Sequence, residues 1–385
     1  MADNKENKVL NVPALRFPEF SGEWKEERLD EIAELSKGVG ISKEQLSEDG
    51  EPCILYGELY TKYKSEIIRK VISKTNIESS NLKRSKRNDV IIPCSGETAI
   101  DIAVARCIPF DNILLGGDLN IIRLHKDDGA FMAYQLNGKR KIDIAKLAQG
   151  VSVVHLYGEN LKSIKTYNPC LQEQQKIVKL LSMFDERIEA QNKIIEKLET
   201  LIKGIRHKVF KQLRKDFGFN STIGDILSFE QPQRYIVSSA EYSNDDTFIP
   251  VLTANKAFIL GYTTETDDIY DKGDCIIIDD FTLDCKYVSF PFKVKSSAIK
   301  ILTANNKFIL RYTYEYLKSL ELSTEEHKRH YITEIQPYSC VLPDENTLKT
   351  IALVFENLAY KLSNEQSLAL ILNKQRQYLL SKMFI

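Results

Sequence analysis

Cysteine and histidine are the residues from which this sequence could build a metal or redox site. The chain has seven cysteines and five histidines, and none stand at Cys-x-x-Cys or His-x-x-x-His spacing. Zinc and redox sites depend on such close pairs. The cysteines are odd in number and widely scattered, which indicates a reducing compartment. We therefore interpret both residue types as packing residues and predict no metal site.

A second set of motifs could support transfer chemistry on nucleic acids. Enzymes that methylate adenine hold the flipped base with an Asn/Asp-Pro-Pro-Tyr/Phe run, and the nearest approach is Asn168-Pro169-Cys170-Leu171. It lacks the second proline and the aromatic residue, so we interpret it as the cap of a following helix. Gly38-Val39-Gly40 is too short for a cofactor loop, and the sequence has no Gly-x-x-x-x-Gly-Lys-Ser/Thr loop. We predict no catalytic residue.

The pair Asp279-Asp280 is the remaining candidate for catalysis, because paired carboxylates can hold a nuclease metal. No convincing Glu-x-Lys companion follows the pair. A loop at the end of a strand explains it equally well.

Basic residues are concentrated in a few segments and suit contacts with phosphate groups. Such contacts position a protein on nucleic acid and carry little sequence information. The alternative for each residue is an ordinary solvated surface. The candidates are Lys62, Lys64, Lys83, Arg84, Lys86, Arg87, Lys139 and Arg140.

Polar residues in predicted loops could read base edges, because hydrogen bonding in the major groove distinguishes all four base pairs. Turn chemistry is the alternative, since Ser, Thr and Asn favour loops in any protein. The candidates in the first half are Tyr56, Glu58, Tyr60, Tyr63, Ser95, Glu97 and Thr98. Those in the second half are Thr253, Asn255, Lys256, Thr282 and Lys286.

Two long helices must position these loops. Apolar residues recur at steps of three and four in two segments, from about 171 to 213 and from about 344 to 385. This spacing predicts helices that pack along another helix. The predicted core residues are Phe184, Ile188, Ile195, Leu198, Ile202, Phe355, Leu358, Leu362, Leu372 and Leu379.

Polar residues interrupt both apolar seams. Gln191 interrupts the first, and Glu365 and Arg376 interrupt the second. A single polar seam residue can fix helix register. We predict that Gln191 and Glu365 lie near each other and set an antiparallel register; the alternative is that each faces solvent.

The order of parts recurs along the chain. Each half opens with a short amphipathic segment, continues as a mixture of strands and helices, and closes with a long helix. The helix tails align, Leu198–Phe210 with Leu372–Phe384. The sequence therefore predicts an α+β fold: two globules of mixed sheets and helices, separated by two long antiparallel coiled-coil helices in a pseudo-twofold internal repeat. The predicted segments are 1–167, 168–215, 216–340 and 341–385.

Composition limits the function without identifying it. The chain has 385 residues, 53 basic and 54 acidic, for a formal charge of -1. That balance excludes a uniformly basic binder of nucleic acid but permits local basic patches. No apolar run approaches the roughly 18 residues that a membrane span requires, so we expect no membrane association.

Several segments together resemble a known family, the specificity (S) subunits of type I restriction–modification systems. The strongest is Gln149–Ile188, which begins Gln-Gly-Val-Ser and contains Glu-Gln-Gln-Lys-Ile at the start of the first helix. Leu55–Tyr63, Ser95–Ala103, Ile249–Thr263 and Asp279–Phe292 are similar to segments of the family's recognition domains. The second helix departs from the pattern, with Asp-Glu-Asn-Thr-Leu-Lys at its start.

This resemblance implies a function. Segments 1–167 and 216–340 would be target-recognition domains, each contacting one half of a bipartite site in double-stranded DNA. The helices would set the spacer and dock two methyltransferase (M) subunits, and restriction (R) subunits would join through the complex. The chain itself would be non-catalytic and without cofactor, with S-adenosylmethionine, ATP and magnesium on its partners. Its location would be the cytoplasm.

Two other functions remain open from the sequence. One is a fused or independent adenine DNA methyltransferase of related type, against which the missing motifs argue. The other is a coiled-coil interaction scaffold that does not bind DNA.

Overall fold

The computed structural model describes residues 10–77, 81–254, 257–322, 324 and 328–385. The chain divides into two compact units. Unit 1 comprises Met1–Gln191 and Leu368–Ile385, and unit 2 comprises Asn192–Ser367. Each unit combines short strands and helices with part of both long helices, so the predicted α+β class is confirmed.

Unit 1 contains thirteen short strands within the described residues. They are β1 (Lys25–Arg28), β2 (Ala33–Lys37), β3 (Leu46–Ser47), β4 (Glu51–Ile54), β5 (Ser73–Thr75), β6 (Lys83–Arg84), β7 (Asp89–Pro93), β8 (Ser95–Gly96), β9 (Arg106–Ile108), β10 (Leu114–Leu115), β11 (Leu119–Leu124), β12 (Val154–His155) and β13 (Lys165–Asn168). The two larger sheets have the orders β3-β5-β4-β10-β6 and β2-β11-β7-β9, and two pairs, β1-β13 and β8-β12, complete the unit.

Short helices connect these strands, and the first long helix follows them. The helices are α1 (Leu29–Ile32), α2 (Glu58–Thr61), α3 (Ala99–Ile102), α4 (Gly129–Asn137), α5 (Lys141–Lys146), α6 (Gly158–Leu161) and α7 (Leu171–Phe217). The buried hydrophobic residues of β2, β7, β9 and β11 pack against α4 because they point to one face of the sheet.

Unit 2 has fewer strands and helices than unit 1 among the residues that the structure describes. Its strands are β14 (Ser221–Thr222), β15 (Ser228–Glu230), β16 (Ile249–Leu252), β17 (Ile259–Thr263), β18 (Cys275–Asp279), β19 (Cys285–Val288), β20 (Lys293–Val294), β21 (Ile299–Thr303) and β22 (Ser339–Cys340). Its helices are α8 (Ile223–Ile226), α9 (Lys307–Ser319) and α10 (Glu345–Lys382), the last of which ends in unit 1.

The two units repeat one order of elements. The antiparallel sheet β2-β11-β7-β9 of unit 1 corresponds to β15-β21-β18-β19 of unit 2. Each unit also has one parallel pair, β4 with β10 and β16 with β20. In each, the strand that precedes the first short helix pairs with the strand that precedes the long helix. The predicted internal repeat is therefore present in the sheet topology.

The ends of the long helices follow from their flanking residues. The backbone carbonyl of Cys170 accepts hydrogen bonds from Glu173 and Gln174 at the start of α7. Gly218 follows its last turn with φ +66°, the left-handed conformation that commonly ends a helix. At the start of α10, the Asp344 carboxylate accepts from the backbone N–H groups of Asn346 and Thr347. Asn168 does not cap α7, because its side chain donates to Glu27 and Thr166 instead.

The predicted seams are buried or half-buried in both units. In unit 2, Leu198, Ile202 and Phe355 belong to the main apolar cluster, with Ile195 half-buried and Leu358 and Leu362 packed at its edge. In unit 1, Phe184 and Ile188 are half-buried, Leu372 is buried and Leu379 packs beside Ile177 and Leu181. The four predicted segments stay a prediction as domains.

The reactivity of the cysteine thiols toward a disulfide reagent tests this packing. Cys170 is exposed and the other six are buried. Burial raises the pKa of Cys53, Cys94, Cys285 and Cys340 to about 11 and that of Cys107 and Cys275 to about 12. Since the thiolate is the reactive form, we expect one thiol to react with a disulfide reagent at pH 8 at least about 100-fold faster than the others. Cys170→Ser should remove that fast phase, and a second fast thiol would contradict the packing.

Candidate nucleic-acid interface

The loop after β4 carries the first group of predicted base-reading residues. Glu58 is buried, and its carboxylate accepts from the backbone N–H of Leu55 at 3.0 Å, from the Lys62 ammonium at 2.6 Å and from the Ser73 hydroxyl. Lys62 also donates to Ser73. Glu58 and Lys62 therefore stabilise the packing of α2 against β5.

The three tyrosines of this loop differ in exposure. Tyr63 is buried, its hydroxyl accepts from the backbone N–H of Ile72, and burial raises its pKa to about 12. Tyr56 and Tyr60 are half-buried and pack on the same cluster. A Cβ placed on Gly96 would lie 3.6 Å from the Tyr60 hydroxyl. The structure thus brings the tyrosine loop beside the loop that contains Ser95, Glu97 and Thr98.

In that second loop, two of the three predicted residues have structural partners. The Ser95 hydroxyl donates to the Asp118 carboxylate at 3.1 Å. Thr98 caps α3, because its hydroxyl accepts from the backbone N–H of Asp101. Glu97 is exposed. Gly96 allows the close turn, since a Cβ there would lie 2.5 Å from a methyl group of Ile102.

A hairpin that the residue-level prediction missed adjoins this loop. Val154 and His155 pair with Gly96 and Ser95, and Gln149 closes the hairpin through two backbone hydrogen bonds with His155. Val151 is 97 % exposed at its tip. The signal was present, since the hairpin is the Gln-Gly-Val-Ser segment on which the family resemblance depended.

An aromatic and basic group follows the hairpin. The rings of His155 and Tyr157 stack at 6.3 Å, and the Lys37 ammonium lies 5.7 Å from the Tyr157 ring centroid. Tyr157 is 45 % exposed. Exposed rings beside cations suit contact with nucleic-acid bases and phosphates, so these three residues join the candidate interface.

The predicted phosphate-binding cations of unit 1 fall into two sets. Within the described residues, the side chains of Lys64, Lys83, Lys86, Arg87 and Lys139 form no ion pair, and all are exposed or half-buried. Arg84 pairs with Glu51 through both Nη atoms, at 2.6 and 2.9 Å. Arg140 donates to the backbone carbonyl of Ile385 at 2.7 Å and lies over the Tyr167 ring. The five cations without a described ion pair are therefore the better candidates for binding phosphate.

Unit 2 presents a smaller group. Thr253 is buried, while Asn255 and Lys256 lie outside the described residues. Thr282 is exposed on the turn between β18 and β19, and Lys286 is half-buried on β19.

The Asp279-Asp280 pair holds this turn and its neighbours. Asp279 accepts from the backbone N–H groups of Phe281 and Thr282. Asp280 is buried, accepts from the backbone N–H of Tyr331 at 2.8 Å and pairs with the Lys300 ammonium at 3.2 Å. Asp279 therefore holds the strand-end loop, and Asp280 joins it to Tyr331 and Lys300. No cluster of three metal-binding side chains occurs among the residues that the structure describes.

The two predicted register residues lie in different units. Gln191 is buried and Glu365 is half-buried, so neither simply faces solvent. Their mutual contact stays a prediction. Across the described helices, none is long and apolar enough to cross a membrane.

Comparison with known proteins shows which proteins this chain resembles. A model of the type I restriction modification DNA specificity domain matches residues 21–200. The specificity subunit of the EcoR124I/EcoR124II type I restriction enzyme of Escherichia coli is 43 % identical over 141 residues, 35 % of each chain. The MjaVIII specificity subunit of Methanocaldococcus jannaschii is 28 % identical over 208 residues, 54 % of this chain and 45 % of that one. These alignments span less than half of the relatives' own length.

The fold is shared over nearly the whole chain. The crystal structure of a type I restriction–modification S subunit from M. genitalium covers 97 % of this chain and 99 % of its own, with a TM-score of 0.69 at 19 % identity. A second chain, solved in work on the assembly and conformational transition of a type I system, covers 94 % and 97 % with a TM-score of 0.52 at 14 % identity. At these identities the likeness concerns the fold alone. Together, the comparisons show what the chain is similar to: residues 21–200 match the type I restriction modification DNA specificity domain, and the fold of the chain is that of type I S subunits.

Proposed function

We propose that the chain recognises a bipartite DNA site, with the globule of each unit reading one half and the long helices setting the spacer between them. The observation that carries this proposal is the repeated order of elements in the two units. A duplicated reading module matches a target with two half-sites, because module spacing fixes half-site spacing.

In unit 1, the proposed reading surface is the group of adjoining loops described above. Tyr60, Glu97 and Tyr157 present polar or aromatic groups, and the Val151 hairpin projects beside them. Lys86 and Arg87, on the turn before β7, would contact phosphates. In unit 2, the turn that contains Thr282 is the counterpart, because it follows β18, the equivalent of β7.

The proposed partners are two methyltransferase subunits docked on the long helices, with restriction subunits joining through the complex. Large apolar side chains support this proposal, because exposed apolar surface on a helix suits a protein partner. Met183 and Tyr378 in unit 1 and Leu201 and Tyr360 in unit 2 are 54–70 % exposed. S-adenosylmethionine, ATP and magnesium would be held by those partners, and the chain itself would work without a catalytic site, in the cytoplasm.

The two alternative functions have less support. Asn168, the residue nearest to a methyltransferase motif, is buried and bonded to Glu27 and Thr166. A scaffold that does not bind DNA would have no use for the recognition domain matched at residues 21–200.

Selection from a random duplex pool tests the proposal directly. The chain, purified with its methyltransferase partner, is expected to enrich a motif of two short half-sites separated by a gap of fixed length. The partner alone is the control and should enrich none. Methyl transfer by the chain without the partner would favour the enzyme alternative, and absence of any enriched motif would reject DNA reading.

A further inference from the structure

Arg376 of α10 forms a buried ionic group within unit 1. Its Nε donates to the Asp185 carboxylate on α7, and its Nη2 donates to the Glu66 carboxylate on the segment after α2. The side chains of Arg376, Asp185 and Glu66 are 15 %, 6 % and 7 % exposed. One guanidinium therefore joins both long helices to the first globule.

Neighbouring residues satisfy the rest of the group. The Tyr134 hydroxyl donates to the second oxygen of Asp185 at 2.6 Å, and the Ser65 hydroxyl donates to the same oxygen at 3.1 Å. Burial alone would lower the pKa of Arg376, but the charges of Glu66 and Asp185 raise it overall. The cation is therefore held charged where it lies.

A group of this kind specifies one arrangement better than an apolar contact does. The apolar seam of α10 repeats about every seven residues, so a slip by one repeat, roughly 10 Å, still pairs apolar side chains. The same slip would move the guanidinium away from Asp185 and Glu66 and remove the cation that pairs with both buried carboxylates, which is strongly unfavourable. Polar groups in helix seams are best known for fixing register in this way.

The repeat does not place an ionic group at the same helix position in unit 2. Alignment of the helix tails, 198–210 with 372–384, places Ile202 at the position of Arg376. Ile202 lies in the apolar cluster of unit 2. Unit 2 has a buried ionic group at a different position, where Arg206 of α7 pairs with Glu315 of α9. The ionic contacts of Arg376 are therefore specific to its position in unit 1.

We propose that Arg376, Glu66 and Asp185 form a register lock that seats the end of α10 on unit 1, and that this lock restricts the DNA spacer to one length. The effect on the DNA spacer rests on the proposed function. Neutral side chains of similar size at the three positions would fill the same space. They would cost little stability, because buried ion pairs often contribute little net stability. They would also remove the energetic penalty against a slipped helix.

The single tryptophan provides a direct readout of helix seating. Trp24 is buried, and its ring lies 6.4 Å from that of Phe384, just beyond α10. The full chain labelled with 5-fluorotryptophan should give one fluorine NMR line. The triple variant Glu66→Gln, Asp185→Asn, Arg376→Met should give two or more lines, or one broadened line, with helix content unchanged. Lys374→Met, which removes an exposed charge two residues away, should keep the wild-type line.

The single variant separates register from stability. Arg376→Met alone leaves both carboxylates unpaired, so amide hydrogen exchange in residues 377–382 should quicken by about 10²- to 10³-fold. In the triple variant, that exchange should return to within about tenfold of wild type while the fluorine lines stay multiple. One wild-type line in the triple variant would overturn the lock.

Selection from the duplex pool then tests the link to the spacer. The triple variant, with its methyltransferase partner, should enrich the wild-type half-sites with at least two gap lengths. An unchanged single gap, with multiple fluorine lines, would overturn this link. If wild-type protein enriches no motif, the proposed function fails, and the fluorine experiment still decides the lock.

Discussion

Replacing Phe210 with alanine is expected to lower the stability of unit 2 by about 3–5 kcal/mol. Phe210 is 1 % exposed, and its ring lies 5.4 Å from those of Tyr312 and Tyr316 and 6.4 Å from that of Phe355. Alanine would remove these aromatic contacts and leave a cavity where α7, α9 and α10 meet. Native-state hydrogen exchange of the β18 and β21 amides is the measurement, because it reports on unit 2 without a two-state assumption.

Phe217 offers a matched control on the same helix. It is 40 % exposed at the last position of α7. Phe217→Ala should therefore change the opening free energy measured by hydrogen exchange in β18 and β21 by no more than about 0.5 kcal/mol. Equal effects of the two substitutions would mean that Phe210 does not anchor the helix in unit 2.

Removing three unit 1 cations that pair with no described carboxylate is expected to weaken DNA binding on the order of 10²-fold near 0.1 M salt. The variant is Lys83→Ala, Lys86→Ala, Arg87→Ala, and the prediction rests on the proposed function. Each lost phosphate contact should reduce the slope of log affinity against log salt by about 0.9. Binding titrations at several salt concentrations measure both quantities. The enriched half-sites should be unchanged, because phosphate contacts carry little sequence information.

Three paired lysines provide the control for this loss of charge. Lys25, Lys162 and Lys165 have carboxylate partners in Glu27, Glu159 and Glu26. Their replacement by alanine changes the net charge equally and should affect DNA affinity less than about threefold. Comparable losses in both variants would indicate a general effect of charge and no phosphate contact at residues 83–87.

The long helices were predictable because their information is local. A seam repeats within a few turns, so Leu198, Ile202 and Phe355 could be assigned to a core before their partners were known. The repeat was predictable for the same reason, since the tails that contain Phe210 and Phe384 can be aligned by sequence. Both phenylalanines lie in aromatic clusters of their units.

The candidate interface was less predictable because its residues depend on distant partners. Nothing near Glu58 in the sequence indicates that its carboxylate binds Ser73, and Arg140 donates to a carbonyl 245 residues away. Arg376 was visible as a polar interruption of a seam, but Glu66 lies 310 residues from it. Side-chain type alone therefore predicted DNA contacts for several residues whose side chains bind other parts of the folded chain.

Unit 1 depends on residues that are synthesised after all of unit 2. The backbone N–H of Leu15 donates to the carbonyl of Lys382, and Phe384 packs on Trp24 and Phe131. At about 5–20 residues per second, roughly ten to thirty-five seconds of translation separate Gln191 from Leu368. During that interval the apolar face that includes Ile177 and Leu181 lacks its cover on the ribosome. We therefore expect nascent chains to need chaperone protection at this face, and truncation before residue 368 to cause aggregation through unit 1.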